Sequence, residues 1–432
     1  MISQERIPAP TANPHRLSLR TLILFTNFLL IMVAYYQVKA ASRSLLLEYG
    51  GPAAFPYVWI GSALVLLVFI SIYQRLVNLV SRNLVVIGTL ITVAVILVLF
   101  RYAFGLAPKF PLMASFYIFV DIFSVILVEQ FWSMTNAVSY MEEGKKTYWL
   151  VGTGGLLGSI LGGFSASTLL QFTSMHTQDL LLSCAALLSL CAVINMATWR
   201  FGLYEEVPPS ETISLTGEGF MTLIHNRFLL LIAALICLSQ LVQPIVEYQF
   251  LNVINEHFTV MDIRTAFISN FFIVLGLVSI AVNFLVTPVV HRHLGVIAGL
   301  FAQPFMLAIT SVIFAFNYTL NMGAIMKISD RGLSYSINRA SKELLYVPLD
   351  AVHIYQVKAW IDMLGYRMFK VAGAGLILLV TSWFAVTDVK NLGWYTLLIC
   401  AVWIVVILRL ANAYRNLPRS GTDYINERHP LN

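Results

Sequence analysis

The chain places acids and bases where few are expected, inside long apolar stretches. Lys39 and Arg43 stand one turn apart at the end of the first stretch, and Asp121 and Glu129, eight residues apart, fall on roughly one face of the fourth. Glu247 lies in the seventh, within SQLVQPIVEYQF, close to Gln240, Gln243 and Pro244. Lys327, Asp330, Arg331 and Arg339 lie in the tenth. A charge held in hydrocarbon is costly, so each is a candidate for binding a polar ligand or moving a proton. Each also has a plainer reading. Lys39 and Arg43 can snorkel to the headgroups. Asp121 and Glu129 can pair with the cations of the tenth stretch, and Lys327, Asp330 and Arg331 can form a local ion pair in a loop if that helix starts later. Glu247 is harder to explain away. Its polar neighbours, a proline that loosens the helix and apolar sequence on both sides favour a place on a cavity wall.

Cations and carboxylates together suit a small charged solute that is anionic or zwitterionic. Phosphate or carboxylate groups meet the cations, arginine through its bidentate fork. The acids can instead select a cation or shuttle protons as a coupling ion, and the residues alone leave these alternatives open. The expected substrate-binding set is Lys39, Arg43, Asp121, Glu129, Gln243, Glu247, Lys327, Arg331 and Arg339, with no catalytic residue, no metal and no cofactor. No GxxxxGK[ST], HExxH or GxSxG motif occurs, which speaks against an ATP-hydrolysing pump and against an enzyme. GTGGLLG at 152–158 opens an apolar helix and follows no strand, so it does not read as a dinucleotide loop. Cys184, Cys191, Cys237 and Cys400 sit in apolar helices without metal-ligand spacing and read as packing residues.

The elements that must position these residues follow from composition. The chain is 59% hydrophobic and only 11% charged, with a mean hydropathy of +0.80. Soluble proteins carry roughly 25% charged residues, so the bilayer is the solvent. Backbone groups in hydrocarbon must bond within their own segment, and stretches of about 20 non-alternating apolar residues choose helices over barrel strands. The fold class is therefore all-α and polytopic, with about twelve spans near 19–40, 54–79, 83–104, 111–136, 147–171, 179–199, 228–252, 265–290, 293–315, 317–340, 366–386 and 393–411. The polar segment 200–227 divides them into six-helix bundles at 19–199 and 228–411, with tails at 1–18 and 412–432. This is a major-facilitator-like organisation, in which two halves rock around a midplane site. Asn136 before a charged loop and a glycine-rich helix start is echoed by Asn338 before a charged loop and AGAG at 372–375. Between Asp350 and Leu364 the apolar residues suggest a short amphipathic helix on the membrane surface.

Basic residues concentrate on one set of flanks, among them Arg16, Arg20, Arg82, Lys145, Lys146, Arg227, Arg292 and Arg415. The opposite flanks hold only Arg43, Arg101, Lys109, Arg264 and Lys390. This predicts that both termini are cytoplasmic, as in a bacterial inner membrane. It also accounts for the net charge of +6 without a nucleic-acid partner. The first apolar stretch is a full span with no cleavable signal pattern before it.

The run Lys342-Glu343-Leu344-Leu345-Tyr346-Val347-Pro348-Leu349-Asp350, followed by Lys358, Asp362, Arg367 and Lys370, resembles the signature of the nucleotide transporters of plastids and intracellular bacteria, the ATP/ADP translocases. The earlier loop with Asn136, Glu143, Lys145, Lys146, Tyr148 and Gly152 is similar in spacing to its counterpart there. Val246-Glu247 and Tyr36 with Lys39 are similar to that family's patterns in the seventh and first spans. Leu251 stands where the family commonly has a lysine. The resemblance implies a twelve-helix carrier that exchanges ATP for ADP plus phosphate, or imports nucleotides with protons. In such a carrier the basic residues hold phosphates, Glu247 is a functional acid, and the two loops act in gating. The alternatives are a proton-coupled carrier of another polar metabolite or siderophore, and a membrane scaffold or sensor that transports nothing.

Overall fold

The computed structural model describes residues 14–106, 109–138, 141–202, 221, 223–346, 360–383 and 388–415. Among them every regular element is helical. The first six long helices are α1 (Pro14–Gly50), α2 (Phe55–Leu79), α3 (Arg82–Leu106), α4 (Phe110–Val138), α5 (Met141–Phe172) and α6 (Leu180–Arg200). After the polar segment come α7 (Arg227–His257), α8 (Met261–Ala281), α9 (Thr287–His293) and α10 (Val296–Phe316). These are followed by α11 (Leu320–Leu333), α12 (Arg339–Tyr346), α13 (Tyr366–Leu378) and α14 (Leu392–Arg415). Ten helical stretches among the described residues are long and apolar enough to cross a membrane, so the chain is an integral membrane protein.

The expected tenth and eleventh spans are helical but of a different character. Residues 320–346 form one unbroken helix in which α11 and α12 are joined by a π-wound turn at Ser334–Asn338. Lys327, Asp330 and Arg331 thus lie in the body of a helix, not in a loop, and they lower its apolar character. Around the eleventh, α13 is only 13 residues long and lies between π-wound turns at Trp360–Gly365 and Leu379–Trp383. The surface helix expected after Asp350 falls largely on 347–359, outside the described residues.

The chain separates into two compact units. The first comprises residues 1–42, 68–210 and 265–273. Its α5 turns glycines toward α1. A Cβ on Gly158 would stand 2.6 Å from Met32 Cβ, and one on Gly162 would stand 2.7 Å from the Val33 carbonyl oxygen. Only glycine permits backbones this close, and the four-residue spacing puts both on one face. Polar side chains within this unit bond to one another, as hydrocarbon demands. Asn195 Nδ2 donates to Asn27 Oδ1 at 2.9 Å, Gln130 Nε2 to Thr89 Oγ1 at 2.8 Å and Gln37 Nε2 to Ser165 Oγ at 2.7 Å.

The second unit comprises residues 43–67, 211–264 and 274–432. Its α7 is the most enclosed helix. One end packs into an apolar cluster with Leu300, Leu345, Trp403 and Ile407. Farther along, α13 approaches closely through Gly373, where a Cβ would stand 2.5 Å from the Leu241 carbonyl oxygen. Four π-wound segments occur among the described residues, all in this unit. Such turns shift the register of one helix face and concentrate at functional positions.

Candidate functional site

The second unit gathers charges from three helices. Arg43, on the end of α1 that belongs to this unit, donates through Nε to Glu247 Oε1 on α7 at 2.9 Å. Lys327 Nζ, on α11, stands 2.7 Å from Glu247 Oε2 and 3.5 Å from Asp330 Oδ2. Arg331 Nε is 3.8 Å from the same Asp330 oxygen, and its guanidinium carbon is 5.7 Å from the centre of the Tyr335 ring. Helical spacing explains the local half. Residues three and four apart share a face, so 327, 330 and 331 meet on α11.

Burial gives this network its weight. Lys327 is 3% exposed, Asp330 2% and Glu247 12%. Within this network, among the described residues, the three cations Arg43, Lys327 and Arg331 face the two carboxylates Glu247 and Asp330. Both oxygens of Glu247 are occupied by different cations, so one carboxylate bridges two helices that sequence separates widely. An entering phosphate offers the same kind of oxygen, and bidentate and point-charge donors are both present to receive it. The arrangement is thus suited to exchanging an internal anion for an external one.

A second tier holds Asp330 in place. Gln303 Nε2, on α10, donates to the Asp330 backbone oxygen at 3.1 Å and to its Oδ1 at 3.3 Å. Asn338 Nδ2, in the π-wound turn, donates to Gln303 Oε1. Asp330 is conspicuous in the sequence as an interior charge, but it, Gln303 and Asn338 all lie outside the expected binding set. A signal was present for Gln303. It precedes Pro304 in an apolar helix just as Gln243 precedes Pro244.

The other expected residues are distributed differently. Lys39 belongs to the first unit, where its Nζ lies 5.0, 4.6 and 4.9 Å from the ring centres of Tyr35, Tyr36 and Phe272. Asp121 and Glu129 are on α4, the former half-buried and the latter exposed. Gln243 is buried on α7, one turn before Glu247. Arg339 is exposed at the start of α12, two turns beyond Arg331. Of the loop residues, Asn136 accepts a 2.8 Å hydrogen bond from Tyr148 OH. Lys342 and Arg367 are half-buried and Glu343 is exposed. The side chains of Glu143, Lys145, Lys146 and Asp362, and all of Asp350 and Lys358, lie outside the described residues. A separate cavity of about 480 Å³ opens near the end of α7, lined in part by Glu256, His257, Tyr318 and Asn321.

Membrane-spanning helices in two compact units, one carrying a buried network of ion pairs, define a polytopic membrane protein with a carrier-type fold. Solved transporters share it. A crystal structure of the POT family transporter PepTSo superposes with a TM-score of 0.68 at 9% identity, covering 93% of this chain and 99% of that one. A bacterial homologue of the iron transporter ferroportin in an inward-facing state gives 0.66 at 14% identity, covering 91% and 98%. The model of the TLC ATP/ADP transporter family matches residues 112–321 and 316–414, and the chain belongs to that family. ADP,ATP carrier protein 1 of Chlamydia trachomatis is 25% identical over 341 residues, covering 69% of this chain and 64% of the relative's length. ADP,ATP carrier protein 4 of Rickettsia conorii is 23% identical over 349 residues, covering 70% and 68%.

Proposed function

We propose that this chain is a secondary transporter that exchanges or imports nucleotides, with ATP and ADP as the first candidates, by alternating access of two six-helix halves of the major-facilitator type. The observation that carries the reading is Glu247 bridging Arg43 and Lys327 beside Asp330 and Arg331. The site has cations to hold phosphate oxygens and an internal carboxylate that substitutes for them when the site is empty. Such a carboxylate makes phosphate binding an exchange of partners, so release is not opposed by bare buried charges. Membership of a family described as ATP/ADP transporters supports the choice of substrate.

In this reading Arg43, Lys327 and Arg331 hold phosphates. Lys39, Asp121, Glu129, Gln243 and Arg339 contribute to the solute path, and the two charged loops serve the gating motion. Both termini face the cytoplasm of a bacterial inner membrane, following the basic flanks. Protons act as the coupling ion only in an import mode, through Glu247. The test is counterflow in proteoliposomes of the purified protein. Vesicles loaded with unlabelled ATP should accumulate labelled ADP, and Lys327→Met should reduce the rate at least about tenfold, one lost charge-assisted contact. Vesicles that show no nucleotide counterflow, with no competition among nucleotides, would sink the proposal.

A further inference from the structure

One face of α7 carries, besides Glu247, two amide side chains whose oxygens accept no hydrogen bond among the described residues. Gln240 and Gln243 precede Glu247 by seven and four residues, so all three share a face. Gln240 is 4% and Gln243 6% exposed, and Oε1 of each is buried with no hydrogen-bond donor among the described residues. Pro244 adds a third acceptor. Having no N–H, it leaves the backbone carbonyl of Gln240 without its helical donor. A buried acceptor left unmet is costly, yet this turn collects several.

A hydrogen bond also orients the Gln240 amide. Its Nε2 donates to Ser239 Oγ at 3.1 Å, while the Ser239 hydroxyl spends its own proton on the Ile236 carbonyl at 2.9 Å. With the hydroxyl so placed, Ser239 Oγ acts as the acceptor, and the nitrogen of Gln240 faces it while the oxygen faces away. Gln240 presents an acceptor, and turning its amide over requires the Ser239 hydroxyl to leave the Ile236 carbonyl.

A ligand that completes this face must bring N–H or O–H donors. It must also bring anionic oxygens to the cations around Glu247, about 10 Å farther along the helix by its rise. Resting on the nucleotide reading above, we propose that Gln240, assisted by Gln243, is a specificity-determining acceptor for the exocyclic amino group of the nucleotide base. Adenine has a donor there and hypoxanthine has a keto oxygen, so this site favours ATP over inosine triphosphate.

The test is displacement of labelled ATP from the purified full-length protein by unlabelled ATP, inosine triphosphate and inorganic tripolyphosphate. The wild type should prefer ATP over inosine triphosphate by at least about tenfold, since a keto oxygen against that acceptor leaves both unmet. Gln240→Met should bring the ratio close to one without changing displacement by tripolyphosphate. Ser239→Ala, which lets the amide turn over, should narrow the ratio by tightening inosine triphosphate. Equal displacement by the two nucleotides in the wild type, or an unchanged preference in Gln240→Met, overturns the proposal and leaves the oxygens to structural water. If the nucleotides discriminate but tripolyphosphate fails to displace, the phosphate reading fails alone and the base reader stands. If labelled ATP does not bind, both fall.

Discussion

Replacing Glu247 with glutamine should weaken the empty protein and tighten its hold on nucleotide. The carboxylate joins Arg43 Nε at 2.9 Å and Lys327 Nζ at 2.7 Å, and the three side chains are 12%, 15% and 3% exposed. Each charge-assisted contact contributes about 1.5–3 kcal/mol. The amide keeps the shape but can accept at one oxygen only, and its NH2 group points donors at a cation. Asp330, 3.5 Å from Lys327, takes up part of the stranded charge. The net loss in the ligand-free state should then be about 2–4 kcal/mol, less than for an isolated buried pair. A phosphate entering the wild-type site must displace those same contacts. In the variant this cost of about 2–4 kcal/mol is absent, so nucleotide affinity should rise by about thirtyfold to several hundredfold, at about 1.4 kcal/mol per tenfold. Counterflow should nevertheless fall, because nothing replaces the phosphate when it leaves. Thermal unfolding with and without ATP, together with an ATP binding titration, measures both effects. Unchanged or weaker ATP binding, or an unfolding temperature equal to the wild type without ligand, would refute Glu247 as the internal competitor for these cations.

Other perturbations probe the scaffold. Arg264 is 2% exposed and pairs with Glu48, while its Nη1 donates to Asn255 Oδ1 at 3.2 Å. Arg264→Met should lower the unfolding temperature, and Arg264→Glu combined with Glu48→Arg should recover part of the loss; no recovery in the double variant would show that the pairing contributes nothing. Gly162→Leu should prevent α5 from seating on α1 at a cost above the usual 1–3 kcal/mol of overpacking, seen as loss of monodisperse protein in size-exclusion chromatography. A well-folded variant would contradict the close approach. Lys39→Met removes a cation set against three rings, each such contact worth about 0.5–2 kcal/mol. Lys39→Arg should retain most of the unfolding temperature that Lys39→Met loses. The four cysteines are buried and free, so a maleimide should label them only after denaturation, as read by intact mass.

The sequence by itself determined the solvent and therefore the secondary structure. A backbone in hydrocarbon has no water to bond to, so apolar stretches of sufficient length become helices whatever their neighbours. The same physics made Lys39, Arg43, Glu247, Lys327, Asp330 and Arg331 conspicuous, because a charge in such a helix must be compensated. The sequence also offered Lys327, Asp330 and Arg331 as a local ion pair, but in a loop, and the structure forms that pair on a helix. Which charges meet across helices was decided only by the tertiary structure. Lys39 and Arg43 stand one turn apart and look equivalent in sequence, yet Arg43 reaches Glu247, 204 positions away, while Lys39 lies against aromatic rings. Gln303 and Asn338 show the same limit, since neutral amides cost too little in isolation to stand out, and only packing places them behind Asp330. Periodicity fixes a face but not the partner opposite it. That choice rests on helix registry, and registry is set by close approaches such as Gly373 against Leu241, which the apolar pattern does not encode.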